Sequence, residues 1–129
     1  MAGFMRPYGS QTYALMRIFF GLLFMSHGLQ KVFGLFGGAP AGAPPVVVYV
    51  AGGIELVAGA LIAIGLFTRW AAFLASGQMA VAYWMAHGMH GLFPTANGGE
   101  LAVLYCFSML FLAAHGAGIW SVDAARGAS

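Results

Sequence analysis

The sequence predicts an all-α protein, a four-helix transmembrane bundle built from two hairpins. Hydrophobic residues make up 61% of the 129-residue chain and charged residues only 6%, whereas about a quarter of a typical soluble chain is charged. Four apolar stretches also have the roughly 20 residues that a helix needs to cross the hydrocarbon core of a bilayer. A membrane β-barrel would need about eight or more strands of alternating polarity, and the sequence has no such pattern.

Short breaks rich in proline, glycine or polar residues separate the four predicted helices. We place the helices at about 13–33, 47–67, 70–90 and 100–120, within one transmembrane domain covering residues 1–129. Pro44 and Pro45 precede the second helix, Thr68 and Arg69 separate the second from the third, and Pro94 lies in the break before the fourth. At 1.5 Å per residue, each stretch has the length of a membrane span.

The basic residues predict how these helices are oriented. Arg17 and Lys31 bracket the first apolar stretch and a second apolar run follows, so we interpret that stretch as an uncleaved helix instead of a signal peptide. Four arginines then share one side of the membrane, opposite Lys31: Arg6, Arg17, Arg69 and Arg126. Because cytoplasmic flanks are enriched in basic residues, both termini are predicted to be cytoplasmic.

The two halves of the chain resemble each other. Met-Ser-His-Gly at 25–28 closes the first helix, and Met-Ala-His-Gly at 85–88 closes the third. A Gly-Gly pair followed by glutamate opens the second helix at 52–55 and the fourth at 98–100. This pattern suggests a parallel repeat about an axis along the membrane normal.

Ionisable side chains are costly in hydrocarbon, so they usually face the inside of a bundle and pair there. At 100° per residue, the polar side chains of each helix fall on one face. On the fourth helix, the predicted inward face consists of Glu100, Leu104, Ser108, Phe111 and His115. The polar residues of the outer half form a predicted outer polar cluster: His27, Lys31, Glu55, His87, His90, Asn97 and Glu100. An inner polar group is predicted from Arg17, His115 and Asp123.

The outer polar cluster is open to four interpretations. Its role is structural if Glu55 neutralises Lys31 and the histidines hydrogen-bond the pair. It could instead bind a quinone headgroup, which needs hydrogen-bond donors beside an apolar slot. A zinc or iron site from His27, His87, Glu55 and Glu100 is a third interpretation, and haem between His27 and His87 is a fourth. No tight ligand motif joins these residues, so we assign no metal site, no catalytic residue and no cofactor beyond a quinone.

The inner polar group is expected to be architectural. We expect Arg17 to extend to the cytoplasmic headgroups while pairing with Asp123. The functional alternative is a proton path through His115.

Several functions are disfavoured by the sequence. Five basic residues are too few for a nucleic-acid surface. The single Cys106 leaves no CxxC pair, and the chain has no flavin fingerprint or haem-attachment motif. An enzyme acting alone is therefore hard to support.

Four blocks, taken in order, resemble the DoxX family over about residues 13–123. They are Arg17 and Gly21 with His-Gly-Leu-Gln-Lys at 27–31; Gly-Ile-Glu-Leu at 53–56 with Gly59 and Thr68-Arg69; Asn-Gly-Gly-Glu-Leu at 97–101 with Tyr105; and Gly-Ala-Gly-Ile-Trp-Ser-Val-Asp at 116–123. The resemblance implies a four-helix protein of the bacterial inner membrane. Its signature positions map to Arg17, His27, Lys31, Glu55, Asn97, Glu100 and Asp123, without assigning chemical roles to them.

The resemblance also guides the functional hypotheses. The family takes its name from a relative of a thiosulfate:quinone oxidoreductase subunit, and some members are associated with membrane oxidoreductase or oxidative-stress assemblies. Our preferred hypothesis is a membrane subunit or accessory factor of a quinone-linked oxidoreductase system. The alternative is a structural subunit that contacts lipid and other membrane protein subunits and has no catalytic role. A small-solute transporter is a third hypothesis.

Overall fold

The computed structural model describes residues 3–128, so residues 1, 2 and 129 of the predicted domain lie outside the described residues. Every regular element within that range is helical, which confirms the all-α class. The α-helices are α1 (Gly9–Phe33), α2 (Pro45–Ile64), α3 (Thr68–Ala86), α4 (Pro94–Asn97), α5 (Glu100–His115) and α6 (Val122–Ala125). Two 3₁₀ turns, Arg6–Tyr8 and Gly88–His90, accompany them.

The long helices lie where the sequence predicts them, but three of them end earlier than predicted. Helix α2 ends at Ile64 because Gly65 adopts a left-handed φ of 74° and its N–H donates to the carbonyls of Leu61 and Ile62. Helix α3 ends at Ala86, before the Gly88–His90 turn. Helix α5 ends at His115 because Gly116 and Gly118 have φ values of 96° and 73°. Glycine caps, which hydropathy does not register, account for the early ends of α2 and α5.

Two helical stretches in the described part of the chain are long and apolar enough to cross a membrane. They are Arg6–Phe33 and Pro45–Ile64. Helix α5 is apolar but has only 16 residues, which corresponds to a rise of about 24 Å. Thr68, Arg69 and Gln78 make α3 more polar than α2.

The four long helices pack as two antiparallel pairs. Glycines bring α1 and α2 into backbone contact: a Cβ atom at Gly21 would lie 2.5 Å from the Ala63 nitrogen, and one at Gly59 would lie 2.5 Å from the Met25 nitrogen. Helices α3 and α5 are joined across their middle by the Ser76 hydroxyl, which donates to the Cys106 carbonyl at 2.7 Å. The two predicted hairpins therefore correspond to α1–α2 and α3–α5.

The two pairs meet through aromatic side chains on one side and leave a groove on the other. Between α1 and α5, Phe24 lies 5.3 Å from the Tyr105 ring, and Tyr13 lies 5.9 Å from the Phe111 ring. Between α2 and α3 an open apolar groove of about 770 Å³ remains. The groove is lined mainly by aliphatic and aromatic side chains, among them Val50, Ile54, Phe73, Leu74, Val81 and Met85.

The antiparallel packing defines two ends of the structure. The segments 34–44 and 87–99, which connect the helices within each pair, lie at what we call the loop end. Arg17, Arg69, Asp123 and Arg126 lie at the opposite end, which we call the arginine end.

Candidate functional site: a buried ion pair at the loop end

The centre of the candidate site is an ion pair between α1 and α2. Lys31, in the last turn of α1, donates from Nζ to both carboxylate oxygens of Glu55, at 2.7 and 2.6 Å. The Glu55 side chain is only 2% exposed and that of Lys31 is 19% exposed. The approach depends on glycine, because a Cβ atom at Gly52 would lie 2.9 Å from the Lys31 Cβ. Small residues at the α1–α2 crossing therefore allow the charges to pair inside the protein.

His27 and Tyr105 complete this group. The His27 ring stands edge-on to Tyr105 with centroids 5.9 Å apart, and both side chains interact electrostatically with Glu55. The group, which we call the Lys31–Glu55 cluster, thus combines an ammonium, a carboxylate, an imidazole and a phenol from α1, α2 and α5. Each of these groups can donate or accept a proton or a hydrogen bond.

Tyr105 is a member of this cluster that the predicted outer cluster lacked. The predicted inward face of the fourth helix is corrected by the structure, because Leu104 and Phe111 are exposed. The buried face of α5 consists of Tyr105, Met109 and Leu112. Glu100 is exposed at the first position of α5, where an ionisable side chain can remain in water. The hydrophobic spacing 105–109–112 was the available signal.

A second polar group holds the 87–99 segment to α3. The Asn97 amide donates to the Tyr83 hydroxyl at 2.9 Å and to the Gly91 carbonyl at 3.2 Å, while its oxygen accepts from the Gly99 N–H at 2.8 Å. The His87 Nδ1 donates to the Asn97 carbonyl at 3.2 Å. Asn97 therefore fixes the start of α5 against the end of α3.

The predicted outer cluster accordingly divides into two groups. His27, Lys31 and Glu55 belong to the first, and His87 and Asn97 to the second. His90 and Glu100 are exposed and join neither group.

The histidines and carboxylates considered for a metal site are spread over separate parts of the structure. Within residues 3–128, no three His, Cys, Asp or Glu side chains come together as a set that could hold a metal ion. The four residues considered for zinc or iron, His27, His87, Glu55 and Glu100, are thus not one ligand set.

At the arginine end, Arg17 is fully buried and binds backbone carbonyls instead of headgroups or Asp123. Its five hydrogen bonds reach the carbonyls of Ile62 and Ala63, at 2.9 Å each, and three carbonyls of the segment after α5: Ala117 at 2.8 Å, Ile119 at 3.2 Å and Trp120 at 2.7 Å. The expected pairing of Arg17 with Asp123 is therefore corrected. The reason is that the last carbonyls of a helix lack intrahelical donors, and a guanidinium presents five N–H groups to satisfy them.

Asp123 instead caps the start of α3. Its carboxylate oxygens accept from the backbone N–H groups of Phe67 and Thr68, each at 3.0 Å. Burial alone would raise the pKa of the Asp123 carboxyl, but these two hydrogen bonds and the nearby Arg126 outweigh burial and hold that pKa below its ordinary value.

His115 lies at the exposed end of α5, stacked on Phe111 with centroids 5.3 Å apart. Its carbonyl and those of Ala113 and Ala114 accept hydrogen bonds from Arg69, at 3.3, 3.1 and 2.5 Å. Arg69 thus caps α5 in the second pair of helices as Arg17 caps α2 in the first. The inner polar group is therefore a set of helix caps with His115 beside it.

The fold and these sites define a helical membrane protein whose buried charged side chains either pair with an opposite charge, as Glu55 does, or cap helix ends, as Arg17 and Asp123 do. A family model, DoxX, matches residues 12–88, and the chain belongs to the DoxX family. A relative from Haemophilus influenzae, described as an uncharacterized protein, is 42% identical over 125 residues, covering 92% of this chain and 90% of the relative. No solved structure matches the chain. The resemblance to this family is thereby confirmed, with the first two sequence blocks inside the matched residues.

Proposed function

We propose that this chain is a multi-pass subunit or accessory factor of a quinone-linked oxidoreductase system in the bacterial inner membrane. In this proposal the four long helices form a transmembrane bundle with both termini in the cytoplasm. The arginine end faces the cytoplasm, because Arg69 and Arg126 lie there with Arg17 while Lys31 lies at the loop end.

The observation that carries the proposal is the Lys31–Glu55 cluster, which involves helix α2, while another face of the same helix lines an apolar groove. Quinone reduction consumes protons, and the cluster places an imidazole, a phenol and an ion pair within the apolar protein. Helix α2 contributes to both features, since Ile54 lines the groove and the adjacent Glu55 belongs to the cluster. A small-molecule site combines an apolar lining with a few polar groups, and here the two lie on different faces of α2. The groove is apolar, as a site for an isoprenoid tail must be.

The test is extraction of quinone from protein purified out of native membranes in a mild detergent. We expect about one quinone per chain in the native protein. The matched variant is Glu55→Gln with Lys31→Met, which removes both charges together and so leaves no unpaired ion. That variant should fold but contain less quinone. Repeated preparations of the native protein without quinone would overturn the proposal.

A second candidate is a structural subunit without catalytic chemistry, and a specific observation favours it. Lys31 and Glu55 satisfy each other through two short hydrogen bonds, as a purely structural pair would. Gentle purification distinguishes the candidates: a second chain in fixed proportion with no quinone supports the structural subunit. A homo-oligomer carrying quinone argues against it.

A further inference from the structure

The loop end carries large apolar side chains on its connecting segments as well as on its helices. Both segments contain the tripeptide Gly-Leu-Phe, at 34–36 and at 91–93. Leu35 and Phe36 are 47% and 70% exposed, and Leu92 and Phe93 are 82% and 67% exposed. Exposed apolar side chains grouped on two turns at one end of a protein indicate a surface that contacts something other than water.

The backbone of each Gly-Leu-Phe turn is tethered, so these side chains are held outward by the fold. The Gln30 amide donates to the Phe36 carbonyl at 3.2 Å, and the Asn97 amide donates to the Gly91 carbonyl at 3.2 Å. Phe36 also has a φ of 53°, a left-handed conformation that is uncommon for a residue other than glycine. A side-chain amide from a neighbouring element thus fixes each turn while its leucine and phenylalanine stay exposed.

The connecting segments at the loop end lack acidic and strongly basic side chains, and this limits what the two turns can contact. The segments 34–44 and 87–99 contain no Asp, Glu, Lys or Arg. Their only titratable side chains are those of His87 and His90, so salt bridges to a protein partner and attraction to anionic headgroups have little to act on. Transfer of leucine and phenylalanine out of water is the remaining driving force. The interfacial layer of a bilayer, about 5–8 Å deep on each side, begins where the helices end.

We propose that the two Gly-Leu-Phe turns dip into the interfacial layer of the membrane at the loop end, so that Leu35, Phe36, Leu92 and Phe93 are covered by uncharged lipid. The turns then anchor the helix ends at a fixed depth. This role rests on the transmembrane orientation in the proposed function, but not on whether the Lys31–Glu55 cluster binds a quinone.

The test uses spin labels on single cysteines in phosphatidylcholine vesicles. In a Cys106→Ala background, Leu35→Cys and Leu92→Cys are labelled at the two turns, and Ala128→Cys is the control at the exposed arginine end. Collisions with oxygen report lipid, and collisions with a water-soluble nickel chelate report water. We expect oxygen to dominate at both turns and the nickel chelate to dominate at Ala128→Cys.

Two outcomes would overturn the proposal. One is nickel accessibility at both turns equal to that at Ala128→Cys, which would mean that the turns stand in water. The other is burial that occurs only when an anionic lipid is added, since the turns carry no charge to respond to it. If Leu92→Cys fails to fold, Met89→Cys probes the same segment, because Met89 is 80% exposed.

Discussion

Lys31 and Glu55 form a two-fold hydrogen-bonded ion pair, with Nζ 2.7 and 2.6 Å from the two carboxylate oxygens. The pair joins the last turn of α1 to the middle of α2. Desolvating two charges costs several kcal/mol, and their attraction offsets this cost only while both are present. Loss of either side chain alone should therefore lower the free energy of unfolding strongly, whereas loss of both together should lower it much less.

The first prediction follows from that asymmetry. Glu55→Gln should lower the free energy of unfolding by about 3 kcal/mol, because it leaves the Lys31 ammonium without its counter-ion. Lys31→Met added to Glu55→Gln should recover most of this loss. Thermal unfolding of both single variants and the double variant in detergent measures the coupling. Additive losses in the double variant would mean that the ion pair contributes little.

The second prediction concerns the Arg17 guanidinium. Arg17→Lys should destabilise the protein by about 3 kcal/mol or more, since an ammonium has three donors and leaves at least two of the five carbonyls unsatisfied. Arg126→Lys is the matched control, because Arg126 is exposed and its contact is a cation–π interaction 5.0 Å from the Phe67 ring. The control should change the unfolding free energy by less than about 0.5 kcal/mol. Equal losses for the two variants would contradict the capping role.

The third prediction tests the glycine contact between α1 and α2. Gly59→Ala should destabilise the protein by about 1–3 kcal/mol, because the added methyl group would meet the Met25 backbone at 2.5 Å and force the helices apart. Gly53→Ala, six residues earlier on the same helix, meets nothing within 4 Å. It should be neutral or slightly stabilising, since alanine favours a helix more than glycine does. A neutral Gly59→Ala would show that the crossing is looser than described.

The fourth prediction is a pH dependence from Asp123. Its pKa is lower in the folded protein than in the unfolded chain, so its stabilisation is present above the unfolded pKa and is lost as pH falls through the folded pKa. The native protein should therefore lose stability below about pH 4. Asp123→Asn should be less stable at neutral pH and should lose less on acidification. Unfolding temperatures between about pH 3 and pH 7 measure this, and parallel curves for the two proteins would exclude the linkage.

The helices were the part of the fold that could be predicted. Runs of about 20 apolar residues, and proline pairs such as Pro44-Pro45, are local signals. Helix ends were predicted less well, because they depend on left-handed glycines such as Gly65 and Gly116. The buried face of α5 was missed as well, since Glu100 drew the prediction to a face that the structure leaves exposed.

For the candidate site residues, too, some contacts could be predicted from the sequence and others could not. The pairing of Lys31 with Glu55 could be expected, since two opposite charges in adjacent apolar stretches have few other partners. The partners of Arg17 and Asp123 could not be expected. Opposite charges suggested that they would pair, but backbone groups at the ends of α2 and α3 compete for the same side chains. The segment after α5 brings Asp123 to the start of α3 and supplies three further carbonyls to Arg17, and neither contact can be read from the local sequence.

By itself the sequence determined the helical class, the family and the charge asymmetry between the two ends, because these follow from composition, spacing and motif order. Only the tertiary structure decided which polar groups meet. Side chains from α1 and α5 converge on Glu55 of α2, and glycines at 21, 28 and 59 set how closely α1 and α2 approach. Such contacts depend on how closely two helix backbones approach each other, and the sequence of one helix alone does not specify that distance.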